Sequence, residues 1–103
     1  MFIYNRKTNK IFNLNAVANI FVGREGDSVS LGLNSGQISK FKEYNSEQEA
    51  REAIAMLAET IRVGKSEIFT MPESEELKQR IQQMSLEQKH HISGKKTKGH
   101  GGS

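Results

Sequence analysis

With 103 residues, 35% of them hydrophobic, the chain has room for one domain with an ordered core and a solvated extension. It contains no cysteine, which excludes disulfides, thiolate zinc sites and cysteine nucleophiles. The net charge of +3 is uneven: residues 1–45 carry six Lys/Arg against three acids, residues 46–85 five against eight, and residues 86–103 four against one. This basic–acidic–basic layout suits an acidic partner, though its excess is smaller than the dense stripe of a dedicated nucleic-acid binder.

The N-terminus shows no basic region followed by an apolar run, so no signal peptide is expected. Nothing approaches the roughly 18 apolar residues of a membrane span, and a cytoplasmic location is expected. Phe2-Ile3-Tyr4 favours a strand, Lys7-Thr8-Asn9-Lys10 a polar turn and Ile11-Phe12 a returning strand. Asn13 and Asn15 flank Leu14 and mark a bend. Residues 17–24 are the strongest strand, apolar on both faces, which predicts a central position. Glu25-Gly26-Asp27 is a turn, and residues 28–33 then alternate, with Val29, Leu31 and Leu33 inward. After the turn Asn34-Ser35-Gly36, residues 37–44 form the last strand of a meander. Ile38 and Phe41 are out of phase there, which predicts a bulge or a two-sided strand. Counting by two puts Lys40 and Lys42 on one face with Ile38 and Tyr44.

Ser46 and Glu49 form a capping box that opens an amphipathic helix. Glu47 and Glu49 suit its positive end, and Gly64 closes it with Arg62 and Lys65 nearby. Ala50, Ile54, Leu57, Ala58 and Ile61 make the stripe predicted to face the core, bordered by Ala53. Glu52, Ala55, Glu59 and Arg62 form the wet face, and Met56 and Val63 offer a second contact surface. Residues 66–70 read as extended, covering a sheet edge or the helix flank. Thr70 with Glu73 then suggests a second capping box, before a helix over residues 72–88 whose only stripe is Leu77, Ile81 and Met84. So narrow a stripe suits light docking, a homodimer or a partner. The Gly/Lys/His-rich end is expected to be disordered. The expected division is an α+β core over 1–72, an accessory helix over 73–89 and a basic tail over 90–103.

Catalytic chemistry is poorly served. His90, His91 and His100 all fall in the tail, Asp27 is the sole aspartate, and no nucleophile elbow, Walker loop or dinucleotide motif occurs. The glutamates sit at helix starts and wet faces, where capping and solubility explain them. No enzyme activity, cofactor or metal site is expected, since adjacent histidines with glycine-rich flanks preorganise nothing.

Several stretches carry a resemblance: N-L-N-x-V-x-N-I (Asn13 to Ile20), Tyr44-Asn45-Ser46-Glu47 leading into Glu49-Ala50 and Ile54, and the closing Phe69-Thr70-Met71-Pro72. Over residues 1–73 the chain resembles a group of small uncharacterised accessory proteins carried by Gram-positive bacteria, their phages and integrative elements. The resemblance implies an accessory cytosolic protein, and it transfers no catalytic residue.

The expected fold is α+β, an antiparallel meander of four to five strands with one helix packed on it, nearest to a pleckstrin-homology-like roll. The expected function is a non-catalytic protein-interaction module, with Leu77, Ile81, Met84, Lys40, Lys42 and Tyr44 as its binding residues. Homodimerisation would cover the exposed stripe. The alternative is a nucleic-acid-binding accessory factor using Arg6, Lys7, Arg24, Lys40, Lys42 and the tail lysines Lys95, Lys96 and Lys98. A protein that sequesters a small ligand between helix and sheet is a weaker alternative.

Overall fold

The computed structural model describes residues 1–99 in backbone and residues 1–86 in side-chain detail. Eight elements follow one another: β1 (Phe2–Asn5), β2 (Lys10–Asn13), β3 (Val17–Val22), β4 (Ser28–Leu33), β5 (Ile38–Glu43), α1 (Glu47–Val63), β6 (Ile68–Thr70) and α2 (Ser74–Gly99). The architecture is α+β, a meander with a helix packed on it. Its strands form two three-stranded sheets, ordered β2-β1-β6 and β3-β4-β5, rather than one.

The split has a local cause. Leu14–Ala16 is a 3-10 turn whose capping residue, Asn13, accepts the Asn15 N–H, so the bend between β2 and β3 ends the first hairpin before the meander begins. The extended segment after α1 then supplies a third strand to the first sheet. β6 pairs parallel to β1, Phe2 opposite Ile68 and Tyr4 opposite Thr70, and a bond from the Met71 N–H to the Tyr4 carbonyl continues the ladder. Because β1 and β6 lie on either side of the meander and α1 in sequence, their pairing ties the chain's first strand to the segment that follows the helix.

The sequence placed the strand expected over residues 17–24 centrally; the structure ends it at Val22 and makes β4 central and β3 an edge. The Ser28, Val29, Ser30 and Leu31 side chains are all buried, whereas no residue of β3 is fully so. The predicted irregularity in β5 is a bulge: Val29 opposes Lys42 and Ser30 opposes Lys40, leaving Phe41 as the extra residue. Ala18 is a second extra residue, where β3 shifts register against β4.

α1 begins with the predicted cap. The Ser46 hydroxyl accepts the Glu49 N–H at 3.2 Å, and the Glu49 carboxylate reaches back to the Asn45 N–H at 3.1 Å, one residue before the expected donor. Gly64 closes the helix at φ 72°, a left-handed conformation that costs glycine nothing. The buried line on α1 is Ala50, Ala53 and Leu57. Together with Ile3, Val29, Leu31, Phe41, Phe69, Met71 and Leu77 it belongs to a single core shared by both sheets. Phe12 meets Phe41 edge-on, with centroids 5.5 Å apart, where the sheets approach each other.

α2 starts at Ser74, and the carboxylate that reaches back is Glu76, bonded to the Glu73 N–H at 2.7 Å, three residues later than the predicted cap. The helix extends to Gly99, past the expected end at Gln88. His90, His91, Lys95, Lys96 and Lys98 lie outside the described side chains and His100 outside the described residues. Of the tail expected to be disordered from residue 90, the backbone as far as Gly99 is helical and the rest lies outside the described residues. Among the described residues, no helix is long and apolar enough to cross a membrane.

Candidate functional site

The binding residues expected from sequence do not form one surface. Tyr44 is 5% exposed and Lys42 4%, so neither lies on an open sheet face. The bulge is the reason. One extra residue at Phe41 breaks the two-residue count, so Lys40 stays outside with Ile38 while Phe41, Lys42 and Tyr44 go in.

Lys42 and Tyr44 instead hold the start of α2. The Lys42 Nζ lies 2.6 Å from Glu73 Oε1, and the Tyr44 hydroxyl donates to the Pro72 carbonyl at 2.7 Å. Arg6 completes this clamp, 3.2 Å from Glu76 and 3.7 Å from Glu73. Burial, and after it the negative charge of Glu73, Glu76 and Glu49, raises the Tyr44 pKa well above its ordinary value. Leu77 is fully buried in the core and is no contact for an outside partner; Ile81 is half-buried, and of the predicted stripe only Met84 is exposed. Arg80 bonds Glu52 of α1, which takes that residue off the predicted wet face.

The basic residues also separate. Lys7, Lys40 and Lys42 line one cleft between the β1–β2 turn and β5, together with Lys10, which sequence reasoning had not singled out. Arg24 is exposed in the β3–β4 turn and does not line that cleft.

A second feature lies between helix and sheet, where the sequence offered only the weaker small-ligand alternative and pointed to no residues. The predicted stripe of α1 divides in two. Ala50, Ala53 and Leu57 are buried, but Ala58 is exposed, Ile54 half-buried and Ile61 50% exposed. These last three face Leu14, Val17 and Ile20 across an open apolar groove of about 320 Å³, with Leu57 also in its lining and no charged residue there. The groove exists because β3 is an edge: the sheet stops before it covers the outer flank of α1.

The edge beside the groove is open in a defined way. The Gly23 N–H bonds the Ser28 carbonyl, so in the alternating pattern of an antiparallel pair Phe21 and Asn19 direct their backbone groups toward β4. Ile20 and Val22 direct theirs outward. Edge strands are commonly guarded by charges, proline or a bulge. β5 carries Lys40, Lys42 and Glu43, whereas β3 (VANIFV) has neither a charge nor a proline, only the bulge at Ala18 near its start. Side chains at Ile20 and Val22 share the face of their partners Leu31 and Val29, so the outward backbone and the apolar groove adjoin. The available sequence signals were the uncharged strand and a helix stripe wider than one buried line requires.

Compared with models of known families, with curated proteins and with solved structures, the chain matches none.

Proposed function

We propose that the protein is a small non-catalytic interaction module, an accessory regulator or adaptor, that takes an extended segment of another protein along β3. The observation that carries this reading is the meeting of an uncharged open edge with an apolar groove lined by Ile20, Ile54, Ala58 and Ile61. An added strand would bond the outward backbone groups of Ile20 and Val22 and place alternate side chains in the groove. Backbone bonds then supply affinity and the groove supplies selectivity. The resemblance to accessory proteins of Gram-positive bacteria, phages and integrative elements supports a cytoplasmic setting and a role on host or element machinery. A meander closed by one long helix supports the related reading of the fold as a pleckstrin-homology-like roll.

Affinity capture from the source cell with three forms of the chain tests the proposal. Ile61 is half exposed, so Ile61→Glu charges the groove with little effect on the core. We expect Ile61→Glu to lose the wild-type partner and Ile81→Asp, on α2, to keep it. Undiminished capture by Ile61→Glu would remove the groove as the binding surface. Loss with Ile81→Asp alone would move binding to α2.

A further inference from the structure

We propose that the cleft between the β1–β2 turn and β5 binds a phosphate-type oxyanion through Lys7 and Lys10, with Lys40 at its rim. This inference is independent of the β3 groove. The cleft has a volume of about 390 Å³, and its lining carries four lysines, Lys7, Lys10, Lys40 and Lys42, against one carboxylate, Glu43. Water occupies about 30 Å³ per molecule in the liquid, so a phosphate group and several waters fit together.

The lysines are not equivalent. Lys42 is held by Glu73, and Lys40 by Glu43 at 3.0 Å and Glu25 at 3.8 Å. Lys7 and Lys10 enter no ion pair among the described residues, although the hydrogen bond and charge of Lys40, and after them the charge of Lys7, help to hold the Glu43 carboxyl pKa below its ordinary value. Two cations on one turn are thus left facing the cleft, and an oxyanion between them accepts hydrogen bonds from charged donors, the stronger kind.

The turn that presents them is built in place. The bulge at Phe41 interrupts the pairing of β5 with β4, and the Phe41 carbonyl accepts the buried Asn5 Nδ2 at 2.7 Å. The same Asn5 side chain accepts the Lys7 N–H at 3.0 Å through Oδ1, so one residue that is 1% exposed ties the lysine-bearing turn to β5. Asn9 takes a left-handed conformation at φ 55°, and its Oδ1 accepts the Tyr4 hydroxyl at 2.9 Å, fixing the far side of the turn. A ligand therefore meets lysines on a positioned loop, which lowers the ordering cost of binding.

The test is an amide chemical-shift titration of the full chain with sodium phosphate, against sodium chloride at matched ionic strength. Saturable shifts confined to residues 5–10 and 40–43 are expected, weakened about a hundredfold in Lys7→Gln/Lys10→Gln, the loss of two hydrogen bonds to charged groups. Both lysines are exposed, so the variant's remaining spectrum should match the wild type. A short oligothymidylate forms a second arm. Shifts at the same residues would assign the phosphate to a nucleic-acid backbone, and phosphate shifts without them would assign it to a free or monoester group. Shifts that follow ionic strength alone, equal shifts in the double variant, or no shifts with either probe would overturn the proposal.

Discussion

Tyr44 shows how much one residue of register can change. Its ring is buried among the core residues and its hydroxyl is bonded to the Pro72 carbonyl. Burial, with the charges of Glu73, Glu76 and Glu49, holds the phenol protonated above the ordinary tyrosine value of about 10. The folded chain therefore keeps a proton that the unfolded chain releases. Tyr44's contribution to stability is complete below about pH 10 and is lost as pH rises from there toward the folded pKa. Tyr44→Phe should cost about 1 kcal/mol at neutral pH through the lost hydrogen bond, and should be less sensitive to alkali. Urea midpoints at about pH 7, 9.5 and 10.5 measure both effects, and equal alkaline slopes in the two proteins would clear Tyr44 of the role. The phase break between Ile38 and Phe41 was visible in the sequence. Its consequence for Tyr44 was not, because a period-two pattern does not say which residue is the extra one.

At the scale of elements, α2 is held by charge as much as by its narrow stripe. Leu77 supplies one fully buried anchor, and Lys42, with a side chain only 3% exposed, pairs with a Glu73 that is 32% exposed. Breaking a buried pair by removing one partner costs about 3–5 kcal/mol, and the partial exposure of Glu73 places the expected cost at or below the lower figure. Glu73→Ala should therefore destabilise the fold by about 2–3 kcal/mol. Lys42→Met/Glu73→Gln should recover most of that, since no charge is left unpaired. Thermal unfolding of the wild type, Glu73→Ala and the double variant closes the comparison, and a double variant as unstable as Glu73→Ala would show that the pair is not what holds α2. The sequence showed the narrow stripe but not that Leu77 within it is a core residue, and it missed the clamp, because Lys42 and Glu73 stand 31 residues apart and are joined only by the fold. The Ser46–Glu49 cap and the Gly64 stop were legible because each is completed within a few residues.

At the scale of the whole molecule, alternation and turns were enough to give β1 to β5, the meander and α1, whereas β6 read only as an extended segment and made a sixth strand where four or five were expected. How strands divide between sheets depends on contacts far apart in sequence, and the pairing of β1 with β6 was invisible for that reason. That division makes β3 an edge and opens the groove, so the surface proposed to take a partner was also the least legible. Its openness has a measurable signature. In the isolated protein the amides of Ile20 and Val22 should exchange with solvent quickly, while those of Asn19 and Phe21, directed at β4, should be protected. A strand added by a partner should protect Ile20 and Val22 and leave Asn19 and Phe21 little changed. Protection of Ile20 and Val22 that grows with protein concentration, together with a doubled mass by light scattering, would identify a second copy of the chain as the added strand. Strong protection of both in a dilute monomer would mean that the edge is already closed, and binding along β3 would then have no site.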